Sequence, residues 1–201
     1  MELLDEVLDA PQRIRVVLCG IGMPKEELCL AAALRCVDNG QPVLYLNPTS
    51  LGQQRVLHEL FPPRYVPSVT FSTLEWVAAR PYPEATAREL LATRPALIIL
   101  HDAFLASRWS EARVVTALRL LMRDSGARLL IVSPPHRQLN RPLAASRLYR
   151  LCRQSELMPE VIGVWHWPTP PELRSLFTYY YTPSMFLREL DADWSTDATP
   201  K

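Results

Sequence analysis

The fold is decided by a stretch near the start of the chain, residues 13–28, which reads RIRVVLCGIGMPKEEL. The apolar, β-branched run from Ile14 to Cys19 is typical of a strand buried on both faces. Gly20 and Gly22 then favour a turn. Pro24 favours a helix start, because the first turn of a helix needs no N–H from it. Strand, glycine turn and helix in this order form the setting of a phosphate-binding loop.

The loop departs from the phosphate-binding pattern at its most important positions. A working loop reads G-x-x-x-x-G-K-[S/T], in which backbone N–H groups and a lysine hold phosphates and a hydroxyl binds Mg²⁺. Here Lys25 follows Gly20 by five residues, and Glu26 and Glu27 come next, so neither alignment supplies the hydroxyl. A carboxylate beside a phosphate costs on the order of 1 to 4 kcal/mol. We expect poor ATP binding, although carboxylates also suit an ordinary helix start.

The rest of the chain alternates apolar runs with helical patterns, which predicts a mostly parallel sheet flanked by helices in one α/β domain. The expected strands lie at 14–19, 43–46, 68–71, 95–102, 127–133, 160–165 and 174–181. The expected helices lie at 28–37, 51–60, 74–79, 84–93, 110–124 and 143–154. Ser50 is the expected cap of the second of these helices, and Ser72 or Thr73 that of the third. We divide the chain into an acidic N-terminal helix (1–12), a core domain (13–190) and a disordered tail (191–201).

Sheets of this kind bind ligands at the carboxyl ends of their strands. That edge is expected to gather Gly20, Asn47, His101, Asp102 and Ser133. Asp102 suits either a metal-side carboxylate or the cap of a turn, and His101 either a proton carrier or a hydrogen-bonded residue at the edge of the core. A nucleophilic hydrolase built on Ser133 and a nearby histidine is disfavoured, since no G-x-S-x-G turn surrounds this serine.

Three features in sequence resemble the ATPase core of RecA-type recombinases. They are the strand, turn and helix at 16–34, the apolar run at 96–102 that ends in a carboxylate, and the helix at 112–123 that leads to the strand at 129–133. Within that family the short core most resembles the recombinase paralogues, above all the small RecA-like subunit of the Shu complex. Residues 29–34 and 41–46 carry that local similarity.

The resemblance implies a RecA-like, P-loop-type α/β fold with a degenerate nucleotide site formed by Gly20, Gly22, Lys25, Asp102 and Ser133. Because the loop departs from the phosphate-binding pattern, we expect no catalytic residues and no resident metal, and ATP and magnesium are doubtful cofactors. The implied partner is a SWIM-domain zinc-finger protein or another recombinase paralogue, and the implied location is the nucleus.

Arginines are concentrated in the segment 137–153, which has five of them in seventeen residues: Arg137, Arg141, Arg147, Arg150 and Arg153. In the resembled family the corresponding loop contacts DNA. Guanidinium groups interleaved with aromatic rings suit binding to single-stranded DNA, while a solvated helix face with salt bridges is the alternative interpretation. An aromatic group at 165–167 and 177–181 suits either core packing or a partner-binding face.

Composition excludes several classes of protein. The chain has 201 residues, 48% of them hydrophobic, which is enough for one full core. A net charge of +1 restricts any nucleic-acid surface to a local patch. The four cysteines form no C-x-x-C pair, and three lie in apolar patterns that predict reduced core thiols. We expect no signal peptide and no membrane span.

The sequence therefore predicts a recombinase paralogue subunit with little or no ATPase activity, which binds single-stranded DNA and a partner to promote homologous recombination repair. Two alternatives stay open: an active ATPase of unusual type that uses Lys25 and Asp102, and a pure interaction scaffold without a DNA role.

Overall fold

The structure is a computed structural model. It describes residues 3–9, 11–20, 22–23, 25–101, 111–134, 160–164 and 179–181.

The described part contains six α-helices and seven β-strands. The helices are α1 (Leu3–Asp9), α2 (Lys25–Asp38), α3 (Ser50–Arg55), α4 (Leu74–Ala79), α5 (Pro83–Leu91) and α6 (Glu111–Ser125). The strands are β1 (Ile14–Cys19), β2 (Val43–Asn47), β3 (Val69–Thr73), β4 (Leu97–His101), β5 (Arg128–Ser133), β6 (Glu160–Val164) and β7 (Tyr179–Tyr181). A π-helical turn (Val56–Leu60) continues α3, and a 3₁₀ helix (Pro63–Ser68) follows it.

All seven strands belong to one sheet, in the order β3-β2-β4-β5-β1-β6-β7, and every neighbouring pair is parallel. This confirms the α/β class and the mostly parallel sheet predicted from the sequence. The parallel register brings the carboxyl ends of all the strands to one edge, called here the carboxyl edge, and their amino ends to the opposite one, the amino edge.

Two apolar layers cover the sheet. On one face, α1 and α2 pack on alternate residues of the strands, such as Val17, Tyr45 and Ile99. On the other face, α4, α5 and α6 pack on the residues between them, such as Val16 and Ile98. Because successive side chains of a strand point to opposite faces, each strand needs apolar residues at nearly every position. That requirement explains the continuous apolar runs in the sequence.

One charged residue interrupts the apolar run of β1. Arg15 is the second residue of β1 and lies beneath α1 with 2% of its surface exposed. Its guanidinium lies 3.8 Å from Glu6 of α1 and donates a hydrogen bond of 3.2 Å to Gln12 Oε1. A buried charge requires a partner of this kind. Leu4, Val7 and Leu8 of α1 are buried, and α1 is shorter than the expected span of 1–12.

Local sequence signals set most helix boundaries. Gly40 and Gly126 follow α2 and α6 with φ of 70° and 68°, a conformation that glycine adopts without strain. The Thr73 hydroxyl accepts a hydrogen bond of 2.9 Å from Trp76 N–H and caps α4, as predicted. The prediction of Ser50 as a cap was wrong, because Thr49 lies one residue earlier in the extended conformation that a cap needs and accepts from Gly52 N–H at 3.2 Å.

The cysteine prediction is confirmed for three of the four residues: Cys19, Cys29 and Cys36 are buried free thiols. The expected helix at 143–154 and the first part of the strand expected at 174–181 lie outside the described residues. Within the described part, no helix has the length and apolar character needed to cross a membrane.

Candidate functional site

The carboxyl edge brings together four of the five residues expected there. Asn47 ends β2, His101 ends β4, Ser133 ends β5 and Gly20 directly follows β1. These strands are neighbours in the sheet, and the register pairs Leu46 with Leu100 and Leu18 with Ser133. All four residues are buried. Asp102, the fifth, lies outside the described residues.

Asn47 and His101 form a polar pair under α2. Each lies two residues after a strand residue on the face covered by α1 and α2, Tyr45 and Ile99 respectively, so both side chains point to that face. Asn47 Oδ1 lies 3.4 Å from His101 Nδ1, and the imidazole ring meets the Tyr45 ring edge-on at 6.3 Å. Asn47 is 0% exposed, and its Nδ2 has no hydrogen-bond partner among the described residues. The asparagine of this pair is therefore closely packed, and within the described residues its Nδ2 is a buried donor without an acceptor.

Ser133 is also fully buried, and its Oγ has no hydrogen-bond partner within the described part of the chain. It follows Leu129 and Ile131 at intervals of two, and those residues belong to the α6 layer. Its side chain therefore points to the opposite face from Asn47 and His101. The three polar strand ends lie side by side along the edge, but they do not form one cluster.

The loop between β1 and α2 uses its backbone donors internally. Gly20 N–H donates to Val164 O at 2.7 Å and thus extends the pairing of β1 with β6. Met23 N–H donates to Gly20 O at 3.2 Å, and Lys25 N–H donates to Met23 O at 2.9 Å. A phosphate cradle needs successive N–H groups that point at the ligand. Three donors of this loop point at carbonyl oxygens of the chain instead.

Carboxylates lie at the start of α2, where a phosphate would bind. Glu26 is 3.6 Å from Arg55, which also lies 3.5 Å from Glu59 on the next turn of its own helix. Glu27 Oε2 is buried and has no partner among the described residues. Negative groups are favourable at a helix N-terminus because they face the positive end of the helix dipole. The start of α2 thus already carries the charge that an anionic ligand would bring.

Arg55 was not among the residues predicted for this site. This residue links α3 to the loop through Glu26, and the link depends on how two helices separated by a strand pack together. Its spacing of four residues from Glu59 was the only local sign of an ion pair.

The five arginines expected to bind DNA, Arg137, Arg141, Arg147, Arg150 and Arg153, all lie outside the described residues. The same holds for residues 165–167. Of the aromatic group further on, the backbone of Tyr179–Tyr181 forms the outermost strand, paired with β6.

The sequence matches no model of a known protein family, and no curated protein matches it.

Proposed function

We propose that the chain is a RecA-like recombinase paralogue subunit that has lost nucleotide chemistry and acts as an architectural component of recombination repair. Its role is to bind single-stranded DNA and a partner subunit, and so to promote assembly of a recombinase filament. Such a subunit acts in the nucleus, paired with a SWIM-domain zinc-finger protein or another recombinase paralogue.

The loop after β1 is the observation that carries the first half of the proposal. A parallel sheet with the glycine turn and α2 directly after β1 is the setting of a nucleotide site. In that setting the donors of Gly20, Met23 and Lys25 are bonded to the chain, and Glu26 and Glu27 stand at the helix start. An architecture kept without its phosphate contacts supports a structural role over catalysis.

Thermal unfolding with and without Mg-ATP tests the loss of nucleotide chemistry. We expect the midpoint to move by less than about 1 °C at millimolar Mg-ATP, because a ligand stabilises the folded state only as far as it binds it. A shift of several degrees that disappears in Lys25→Ala would instead establish an active nucleotide site. Mg²⁺ alone at the same ionic strength is the control.

DNA binding rests on the composition of the segment 137–153 and is tested separately. Fluorescence anisotropy with a labelled oligothymidine at several salt concentrations measures both the affinity and the salt slope. We expect the double variant Arg141→Ala/Arg150→Ala to weaken binding about tenfold or more and to reduce the slope. Arg88→Ala/Arg119→Ala is the matched control, because both residues are exposed on helices and the net charge changes equally. Equal effects of the two double variants would contradict the assignment of this segment.

The partner is tested by affinity capture of the full chain from nuclear extract. Recovery of a zinc-binding SWIM-domain protein or a recombinase supports the proposal. Recovery of a metabolic assembly alone contradicts it.

A further inference from the structure

A second region of the molecule has the features of a binding site. It lies at the amino edge of the sheet, opposite to the loop between β1 and α2. A cavity of about 380 Å³ opens at the amino edge, between the first residues of β4 and β5. Ligand sites occupy roughly 300 to 1,000 Å³, so the cavity has room for a small molecule. Buried Cys36 at the end of α2 and buried Leu97 contribute to its wall, as does Leu8 of α1.

The polar part of the cavity wall includes two arginines, Arg94 and Arg128. Among the described residues, neither makes an ion pair or a side-chain hydrogen bond. Arg13 shows the contrasting case at the same edge, since its guanidinium donates to Ala127 O at 3.0 and 3.1 Å and to Met122 O at 2.7 Å. Arg13 thus occupies the carbonyl groups at the end of α6. Arg94 and Arg128 have no such carbonyl partner in the described structure, which leaves their donors available to a ligand.

The backbone of Arg94 supports a role for its side chain. Its φ is 48°, in the left-handed region, and its N–H donates to Leu91 O at 2.8 Å to close the turn after α5. Glycine is the residue that suits this position after a helix, because it has no Cβ to clash. The chain places a long cationic side chain there despite the strain. Strained residues of this kind concentrate at ligand sites.

The other charges near the cavity leave it positive. Asp5 is paired with Arg35, and Glu6 is paired with Arg15. Burial is the main cause that raises the pKa of the Cys36 thiol. The Arg128 charge opposes this shift, and the Asp9 charge adds to it. The thiol is therefore uncharged at neutral pH and does not repel an anion. Within the described residues, the exposed carboxylate of Asp9 at the end of α1 makes no ion pair, and neither do the guanidinium groups of Arg94 and Arg128.

We propose that the cavity lined by Arg94 and Arg128 binds a phosphate monoester group. Two planar guanidinium groups can each donate paired hydrogen bonds to such a group. Its charge of about −1.5 to −2 at neutral pH matches two arginines better than a single carboxylate does. This site does not depend on the proposed function, because it shares no residue with the loop after β1 or with the segment 137–153.

Isothermal titration of the full chain with inorganic phosphate, at constant ionic strength and with chloride as reference, tests the site. We expect saturable binding with a Kd that rises at least tenfold in Arg94→Gly and in Arg128→Gln. Arg119→Gln, an exposed arginine on α6, removes the same charge elsewhere and should leave the Kd within about twofold of the original. Arg94→Gly suits its backbone position, so its thermal midpoint without phosphate should stay equal or rise, which separates a binding defect from a folding defect.

Two phosphate sources are then compared: glycerol 3-phosphate, and a short peptide with one phosphoserine. Tighter binding of glycerol 3-phosphate identifies a small-molecule site, and tighter binding of the phosphopeptide identifies a docking site for a modified partner. Both results support the phosphate monoester as the recognised group. No phosphate binding above the chloride reference, or equal losses in Arg119→Gln and Arg94→Gly, overturns the proposal.

Discussion

The carboxyl edge of the sheet buries neutral polar groups, whereas the amino edge collects arginines. At the carboxyl edge, Asn47 and Ser133 lie within the packed protein, and three N–H donors of the loop after β1 bond to the chain itself. At the amino edge, Arg13 serves helix carbonyl groups while Arg94 and Arg128 line an open cavity. Parallel α/β sheets usually bind ligands at the carboxyl edge. Within the described residues, the carboxyl edge thus combines buried polar groups with a loop bonded to the chain, while the amino edge has two arginines without an ion pair beside a cavity.

The largest effect should come from breaking the buried ion pair that anchors α1 near the amino edge. Glu6→Gln removes the negative charge that α1 places beside buried Arg15 and should lower the free energy of unfolding by about 3–5 kcal/mol. Urea unfolding measures the change. Asp5→Asn is the control, because it breaks a pair with Arg35 that is about one-third exposed, and it should cost no more than about 1 kcal/mol. Equal losses in the free energy of unfolding would show that burial of the ion pair does not determine how much it stabilises the protein.

A smaller effect should follow from replacing Arg13. Its side chain bonds to backbone carbonyl oxygens, unlike those of Arg94 and Arg128 within the described residues. Arg13→Met keeps most of the apolar stem but removes three hydrogen bonds to carbonyl groups near the end of α6, and should cost about 1.5–3 kcal/mol. Arg113 donates a single bond to Ala78 O at 3.0 Å, so Arg113→Met should cost less. Arg128→Met, measured in the same urea series without phosphate, should change the stability least. A large loss in Arg128→Met would make that residue structural and weaken the contrast with Arg13.

Two hydroxyls that end strands sharpen the description of the carboxyl edge. Thr73→Ala removes the cap of α4 and should cost about 1 kcal/mol. Ser133→Ala removes a buried hydroxyl without a partner in the described structure, so it should leave the stability unchanged or raise it by up to about 1 kcal/mol. Thermal unfolding of the two variants should therefore show shifts of opposite or clearly unequal size. A loss in Ser133→Ala equal to that in Thr73→Ala would mean that the serine hydroxyl is bonded in the native protein.

The centre of the sheet was predictable from the sequence because β1, β2, β4 and β5 are buried on both faces and must be short apolar runs. The runs at β1 and β5, for example, need no knowledge of distant residues to be recognised. The helix ends expected at 37 and 124 lie within one residue of the observed ends, because Gly40 and Gly126 end these helices through a local backbone requirement. The gathering of Asn47, His101 and Ser133 at one edge follows from the parallel direction of the strands alone.

Features that depend on contacts between distant elements were not predictable. Arg15 sits in an otherwise apolar strand, and only the packing of α1 reveals Glu6 as its partner. The cap of α3 was expected at Ser50 but is Thr49. Both residues have a hydroxyl, and the backbone conformation decides which of them caps the helix. Arg94 precedes a proline in the connection between α5 and β4, a position that gives no sequence signal of a binding role. Its left-handed backbone and its place beside Arg128, thirty-four residues later, appear only in the folded chain.

The smallest effect concerns the Cys36 thiol, which reports on the charge of the amino-edge cavity. Burial raises its pKa in the folded protein, so the folded state holds the thiol proton more tightly than the unfolded state does. The stability from this group is complete below the unfolded pKa of about 8.5 and falls as the pH rises towards the higher folded pKa. The expected loss between pH 7 and pH 9 is less than about 1 kcal/mol, because it is limited by how far the unfolded thiol ionises in that range. It is measured by urea unfolding as the pH-dependent difference between the original protein and Cys36→Ala.

Arg128 lowers the pKa of the Cys36 thiol, so Arg128→Gln should raise this pKa further and slow alkylation of Cys36 by iodoacetamide at pH 9. An unchanged alkylation rate in that variant would mean that the Arg128 charge does not act on the cavity, and the contrast between the two edges would then rest on Arg94 alone.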